Sequence, residues 1–257
     1  MTTETLREAA WLTESDLSAT LPRDTDVLVV GGGLAGTALA YYLARQGVEV
    51  VLVERGELNR EASGTNAGSF HFQIAIHQLT AAETENVRER LHTEVRLHAE
   101  AAEVWKGLER ELAGALGIHF TGGLMVAETE EQLRLLHEKR VIEEEAGLDI
   151  EIYEGDELRS FAPYLAADLL GASYCPQEGH ADPALAAPLF ARRASDAGAE
   201  IRTHAAVTAI DVDSDGGPHR FTVTTGAGRI RARRIVNAAG AWANELAALA
   251  GLQLPLR

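Results

Sequence analysis

Three glycines and one acid are the residues whose types and spacing point most directly to chemistry. Gly31, Gly33 and Gly36 follow an aliphatic run in the pattern G-x-G-x-x-G, and Glu54 ends the next aliphatic run. In this pattern the first glycine allows a tight turn, the second lets backbone approach a diphosphate, and the third lets a helix pack closely on a strand. A carboxylate at Glu54 can accept hydrogen bonds from ribose hydroxyls and disfavours a 2′-phosphate. The pattern therefore predicts a site for FAD or NAD.

A strand, a helix and a second strand must position these residues. Residues 26–30 and 48–53 are rich in Val and Leu and predict two buried strands. Residues 37–46 between them consist largely of Ala, Leu and Tyr with one Arg, a composition that forms helices. The helix start, beside Leu34 and Ala35, points unpaired N–H groups at a bound diphosphate. Together these elements predict the βαβ unit of a dinucleotide-binding domain.

The rest of the chain is predicted to mix helices and strands. Helices are predicted at residues 79–116, 129–146 and 156–159, strands at 118–127 and 169–175, and a further helix to residue 197 with Asp182 as its N-cap and Pro183 as its first residue. Short strands are predicted at 200–203, 206–212, 220–225 and 229–236, before a final helix at 242–249. A polar N-terminal extension, residues 1–24, is predicted to hold one short helix at 3–11.

The composition excludes several classes of function. The chain has 257 residues, 46% of them hydrophobic, and a formal net charge of −16. That charge argues against nucleic-acid binding, which needs basic patches. We find no apolar run of about 18 residues, so we expect no transmembrane segment and a cytoplasmic location, with peripheral membrane association left open. The single Cys175 excludes an intrachain disulfide, and we interpret it as a small packing residue, not as a redox or cofactor-tethering group.

Four motifs, taken in order, carry a family resemblance. They are residues 26–54, residues 62–68 (Ala-Ser-Gly-Thr-Asn-Ala-Gly), residues 179–183 with 198–207, and residues 236–242 (Val-Asn-Ala-Ala-Gly-Ala-Trp). Together they resemble the FAD-dependent amine and D-amino acid oxidoreductases, which include D-amino acid dehydrogenases, glycine and sarcosine oxidases and opine oxidases. The first motif is common to many flavoproteins, whereas the second and fourth narrow the choice to this family.

The resemblance implies an α/β fold with a Rossmann-like FAD-binding domain and an inserted α+β substrate domain. We expect the FAD-binding domain at residues 25–78 and 179–257, and the insertion at 79–178. The resemblance also implies a longer protein, in which a late glycine-rich segment completes the flavin site. We therefore expect this chain to lack the C-terminal part of the family fold, which a second subunit or a missing C-terminal part would supply.

The resemblance further implies FAD as the cofactor and assigns residues to it. The diphosphate is expected to meet Gly31, Gly33, Leu34, Ala35 and Gly36, and the adenosine ribose to meet Glu54 and Arg55. The flavin mononucleotide half is expected along Ser63, Asn66, Ala67 and Gly68, the adenine at the backbone of Val207, and a second approach to the diphosphate at Ala238 and Gly240.

The implied activity is oxidation of the CH–NH bond of an amino acid or secondary amine by hydride transfer to the flavin. No catalytic residue and no metal site are assigned. Candidates for contacts with a small-molecule amine or amino-acid substrate are His71, His77, Tyr153, Arg159, Tyr164 and Tyr174. Two alternatives stay open, namely an FAD-binding subunit or fragment that needs a partner or is inactive, and a NAD-dependent dehydrogenase that uses the same βαβ unit.

Overall fold

The computed structural model describes residues 20–80, 86–213 and 219–255, which form two compact units. The first unit holds the described residues up to Ala67, the segment Leu112–Leu116 and the described residues from Asp182 onward. The second unit holds the described residues of Gly68–Glu111 and Gly117–Ala181. These limits lie at 67/68 and 181/182, whereas the sequence led us to expect domain limits at 78/79 and 178/179. The helix predicted at 3–11 lies outside the described residues.

The strands and helices are numbered here in chain order. The strands are β1 (Asp24–Val30), β2 (Val50–Val53), β3 (Ser69–Phe70), β4 (Gly123–Ala127), β5 (Glu151–Glu154), β6 (Gly171–Cys175), β7 (Gly179–His180), β8 (Glu200–Arg202), β9 (Val207–Val212), β10 (Phe221–Thr225) and β11 (Gly228–Asn237). The helices are α1 (Leu34–Ala44), α2 (Ala62–Thr65), α3 (Ile76–Thr80), α4 (Val87–Glu111), α5 (Glu130–Glu145), α6 (Gly155–Phe161), α7 (Ala186–Asp196) and α8 (Ala243–Leu249), with a 3₁₀ turn at Gly240–Trp242.

The first unit is built on a six-stranded sheet in the order β8-β2-β1-β11-β10-β9. The pairs β8–β2, β2–β1 and β1–β11 are parallel, and β10 pairs antiparallel with both β11 and β9. Parallel strands covered on both faces are expected to be continuous runs of branched apolar residues. Val50–Val53 of β2 and residues 27–30 of β1 fit this rule, because all of them are buried. The sheet therefore brings the carboxyl ends of β1, β2, β8 and β11 to one edge.

The second unit has an antiparallel sheet in the order β4-β6-β5 and a two-stranded sheet of β3 and β7. Its long helix α4 buries Leu91, Val95 and Ala102, whose spacing places them on one face, and also Leu108. The other residues of α4 are largely charged. In the part of the chain that the structure describes, no helix is both long enough and apolar enough to cross a membrane.

A fully buried ion pair lies in the second unit. The Lys139 Nζ donates to Glu143 Oε1 at 2.9 Å and Oε2 at 3.0 Å, and to Gln73 Oε1 at 2.9 Å. Both charged side chains have 0% exposure. Burial lowers the pKa of Lys139 and raises the pKa of Glu143, and the attraction between the two charges opposes both shifts. The spacing i, i+4 on α5 brings the two together.

The same cluster holds the backbone of residues 72–74. Glu178 Oε1 accepts from the N–H groups of Phe72 at 2.6 Å and Gln73 at 2.8 Å, and Glu143 Oε1 accepts from that of Ile74 at 2.6 Å. Three consecutive amides therefore point at buried carboxylates. This arrangement supplies the charge-assisted hydrogen bonds that buried carboxylates need, since a buried charge without partners is costly.

Several predicted element limits are wrong, each for a local reason. The predicted helix 79–116 ends too late, because α4 ends at Glu111, before Ala113 adopts a positive φ of 47°; residues 81–85 of that prediction lie outside the described residues. The predicted strand 118–127 begins only at Gly123, because Gly122 has a φ of 78°. Asp182 does not cap a helix: its Oδ1 accepts from Ala184 N at 2.8 Å in a turn, and α7 begins at Ala186. Strand β5 was not predicted.

The only cysteine of the chain is buried in the second unit. Cys175 has 0% exposure, and burial raises the pKa of its thiol to about 12. Since the thiolate is the reactive form, we expect a thiol-specific reagent at pH 8 to leave the folded chain unmodified and to modify one thiol per chain in denaturant. Fast modification of the folded chain would show that the core around β6 opens readily.

Candidate functional site

A cavity of about 530 Å³ lies in the first unit, at the carboxyl ends of the parallel strands. Open α/β sheets bind ligands in the crevice at this edge, so its position alone makes it the candidate site. Its lining comes from four segments, which are residues 30–33 after β1, residues 53–57 and 59–63 after β2, residues 205–207 after β8, and residues 238–242 with 245, 246 and 249 after β11.

The glycine turn closes one side of this cavity against the sheet. Gly31 has a φ of 121°, which side-chain-bearing residues rarely adopt, and a Cβ on it would collide with the carbonyl of Ala238. A Cβ on Gly36 would collide with the carbonyl of Gly31. The turn is further fixed by hydrogen bonds from Gly31 N to Val53 O and from Ala238 N to Val30 O, both 2.9 Å. These contacts explain why glycine is needed at residues 31 and 36.

The carboxylate of Glu54 is held at both oxygens by backbone amides. Its Oε2 accepts from Gly32 N at 2.7 Å, and its Oε1 accepts from Gly56 N at 2.9 Å. The backbone of Glu54 is also paired on both sides, since its N donates to Arg202 O and its O accepts from Ala205 N, each at 2.8 Å. The acid at the end of β2 is thus fixed beside the glycine turn, where a ribose would lie in a dinucleotide site.

The start of α1 is capped by a residue of the short helix α2. The Leu34 N–H donates to Ser63 Oγ at 3.0 Å, and Ser63 lines the same cavity as Gly33. A serine hydroxyl that accepts from a helix N-terminal amide is a typical N-cap interaction, although here the serine comes from another segment. This hydrogen bond joins α2 to the glycine turn, and the N-terminal end of α1 lies at the cavity.

A stacked Arg–Trp pair forms another wall. The Arg55 Cζ lies 3.6 Å from the centroid of the Trp242 ring, and Arg55 Nη2 lies 2.6 Å from Glu61 Oε1. The Arg55 guanidinium, which follows β2, therefore contacts both Trp242 after β11 and Glu61 before α2. All three side chains line the cavity.

The predicted site residues divide into two groups. Those that line the cavity are Gly31, Gly33, Glu54, Arg55, Ser63, Val207, Ala238 and Gly240. Those outside its lining are Leu34, Ala35, Gly36, Asn66, Ala67 and Gly68. Asn66 Nδ2 donates to Ala62 O and Ser63 O, both at 2.9 Å, so it stabilises the turn of α2. Gly68 belongs to the second unit, where its carbonyl accepts from Ala181 N at 2.9 Å.

Sequence reasoning missed several lining residues. Trp242 lies two residues after Gly240 in the fourth motif, residues 236–242, and its indole stacks on Arg55. Asn59 was also missed, although it has a positive φ of 60°, donates from its N–H to Gly32 O at 3.1 Å, and donates from Nδ2 to Pro183 O at 2.9 Å. An Asn in a polar loop signals a left-handed turn, but it does not reveal which segments it joins.

The electrostatics of the cavity limit how it can hold an anion. Its lining includes the carboxylates of Glu54, Glu57, Glu61 and Glu245 and the guanidinium groups of Arg55 and Arg60. Because acids outnumber bases, a diphosphate must depend largely on backbone N–H groups and the α1 dipole, and Arg55 and Arg60 are the two cations among these lining side chains. The glycine cradle, which a Cβ would fill, and the fixed acid at the strand end together fit the ADP portion of a dinucleotide.

The candidate substrate residues lie in the second unit. His71 and His77 are exposed, and Tyr164 is 77% exposed. The Tyr153 hydroxyl donates to Glu151, and Arg159 is paired with Asp156 at 2.7 Å. Tyr174 and Tyr153 both pack against Phe161, at ring-centroid distances of 5.0 and 4.1 Å. Among residues 20–80, 86–213 and 219–255, no group of three or more His, Cys, Asp or Glu side chains is arranged to hold a metal ion.

Comparison with known proteins adds a family match. The family model described as DAO, FAD dependent oxidoreductase, matches residues 26–257. The chain is 30% identical over 234 residues to mitochondrial dimethylglycine dehydrogenase of Rattus norvegicus, covering 90% of this chain and 25% of that protein. It superposes on glycine oxidase from Geobacillus kaustophilus with a TM-score of 0.75 and 28% identity, covering 91% of this chain and 60% of that one.

A third similar protein has its cofactor in place. This is the dithionite-reduced L-α-glycerophosphate oxidase from Mycoplasma pneumoniae with FAD bound, at a TM-score of 0.73 and 26% identity. The match covers 89% of this chain and 57% of that one. The chain thus spans between a quarter and three fifths of the length of these three proteins.

Proposed function

The chain belongs to the DAO family of FAD-dependent oxidoreductases, and from that premise we propose that it oxidises the CH–NH bond of an amino acid or a secondary amine. The single observation that carries the cofactor assignment is the cavity of the first unit, whose glycine turn and Glu54 carboxylate fit an ADP moiety. The amine substrate class rests on the two relatives named for dimethylglycine and glycine.

The residues that would hold FAD are those that line this cavity. Gly31 and Gly33 would face the diphosphate, Glu54 the ribose, and Val207 the adenine. When bound, FAD supplies a two-electron acceptor for the hydride that leaves the carbon next to the substrate nitrogen. The protein would hold the amine neutral and exclude water from that carbon, and water would then hydrolyse the imine product.

We further propose that the second unit contributes to the substrate site. Its exposed tyrosine and histidine side chains, among them His71 and Tyr164, are available for contacts with a small carboxylate. In this proposal the FAD-binding domain comprises residues 25–78 and 179–257, with the substrate domain between them. Because the chain spans a minor part of dimethylglycine dehydrogenase, an FAD-binding subunit that needs a partner chain is the second candidate function. The family match argues against the NAD-dependent alternative.

Reconstitution with FAD tests the proposal directly. We expect the purified chain to retain stoichiometric FAD after gel filtration, with absorbance at about 450 nm that NAD does not displace. Anaerobic addition of sarcosine, dimethylglycine, glycine, L-proline or a D-amino acid should bleach this band, and glycerol 3-phosphate should not.

Each other outcome has a defined meaning. Failure to bind FAD would contradict the cofactor assignment. If only glycerol 3-phosphate bleached the band, the substrate would be an alcohol, and the proposed amine substrate would be wrong. A chain that binds FAD but that no substrate reduces would favour the partner-requiring subunit.

A further inference from the structure

Arg55 contacts two side chains of the cavity wall, the indole of Trp242 and the carboxylate of Glu61. Arg55 follows β2, Glu61 precedes α2, and Trp242 ends the 3₁₀ turn after β11. The guanidinium carbon at 3.6 Å from the ring centroid is in contact with the indole face. No planar group fits between them, so this face of Trp242 is covered by Arg55.

The remaining partner of the guanidinium is a carboxylate. Arg55 Nη2 lies 2.6 Å from Glu61 Oε1, and the two side chains are 44% and 59% exposed. Exposed ion pairs of this kind are weak, because water and salt screen them. Phosphate groups are alternative partners for a guanidinium, which can bind them through two parallel hydrogen bonds. The Arg55–Glu61 pair can therefore be exchanged for an Arg55–phosphate pair at small cost.

We propose that Glu61 competes with the diphosphate of the nucleotide for Arg55, and so sets the affinity of the cavity for phosphate-bearing ligands. The inference rests on the proposed function, since it takes the ligand to be a dinucleotide. In the nucleotide-free chain Glu61 neutralises Arg55. When a diphosphate enters, Glu61 loses its partner and stays as an anion in the wall of a cavity that already holds more acids than bases. The Glu61 carboxylate thus lowers the affinity of the cavity for phosphate-bearing ligands and leaves its affinity for adenosine unchanged.

A Glu61→Gln variant isolates this effect. The structural role of Glu61 lies in its backbone, because its carbonyl accepts from Gly64 N at 2.9 Å and Thr65 N at 3.2 Å, and the substitution keeps these bonds. By titration calorimetry at low salt, we expect E61Q to bind ADP roughly fivefold more tightly than wild type, with adenosine affinity unchanged. The gain should shrink as ionic strength rises.

Two matched variants separate competition from a general charge effect. Glu57 lines the same cavity but pairs with His204, at 2.6 Å, so E57Q should strengthen ADP binding less than E61Q does. In an Arg55→Met background the gain from E61Q should fall, because the group for which Glu61 competes is gone.

The failures are distinguishable. An ADP affinity of E61Q equal to that of wild type, an equal gain for adenosine, or an undiminished gain in the Arg55→Met background would each overturn this inference alone. A wild-type chain that binds neither ADP nor FAD would overturn the proposed function, and this inference with it.

Discussion

A Gly33→Val chain is expected to fold and to bind FAD and ADP about a hundredfold more weakly than wild type, a loss of ~2.8 kcal/mol. Gly33 has φ −81° and ψ −176°, an extended conformation that a valine adopts readily. The nearest heavy atom to a Cβ at this position is Ser63 Oγ at 2.9 Å, a small hydroxyl that can rotate away. The rest of the isopropyl group would occupy cavity space.

Two further variants make this result interpretable. In Gly36→Val the Cβ would meet the fixed carbonyl of Gly31, so we expect loss of folding, seen as loss of the far-UV circular dichroism and of the cooperative thermal transition. Gly107→Val adds the same side chain in α4, where the only atom near a Cβ is the Arg110 guanidinium at 3.9 Å, and it should leave FAD binding intact. A folded Gly33→Val chain that binds FAD and ADP with wild-type affinity would contradict the assignment of the diphosphate to this turn.

A Lys139→Met substitution is expected to destabilise the chain by about 3–5 kcal/mol. The ammonium at 0% exposure is the cation that balances buried Glu143, and Glu178 lies in the same cluster at 4% exposure. Removing it leaves buried carboxylates without their counter-charge. The free energy of unfolding, measured by urea titration followed by circular dichroism, gives this loss.

The chain contains its own control, since Lys106 is the only other lysine. Lys106 pairs with Glu103 on the exposed face of α4, with side-chain exposures of 43% and 69%, so Lys106→Met should cost less than about 0.5 kcal/mol. Adding Glu143→Leu to Lys139→Met should recover part of the stability, because one of the uncompensated charges is removed. Equal effects of the two lysine substitutions would show that the buried pair contributes nothing particular.

The family and the α/β class were predictable from local patterns. Gly31, Glu54 and the aliphatic runs of β1 and β2 lie within a single short stretch, so their spacing alone indicates the βαβ unit. Both predictions are confirmed by the family match and by the solved structures. The strands after residue 199 were also predictable, because turns and alternating residues mark each one.

Contacts between distant residues were beyond sequence reasoning. The Lys139–Glu143 pair follows helical spacing. The hydrogen bonds that Lys139 and Ser173 both donate to Gln73 Oε1, however, join segments far apart in the chain. The stacking of Arg55 on Trp242 depends on the pairing of β1 with both β2 and β11, which no local pattern reveals. The start of α7 was misplaced because Asp182 and Pro183 suit a turn as well as a helix N-terminus.

The two backbone hydrogen bonds to the Glu54 carboxylate have a consequence for the thermodynamics of ligand binding. The rotamer of this side chain is chosen during folding, so its conformational entropy is already lost before a nucleotide arrives. Preorganisation of this kind lets more of the interaction energy appear as affinity. By linkage, a ligand that binds the preorganised Glu54 carboxylate also stabilises the glycine turn against local opening. The melting temperature of the chain should therefore rise with the logarithm of the ligand concentration.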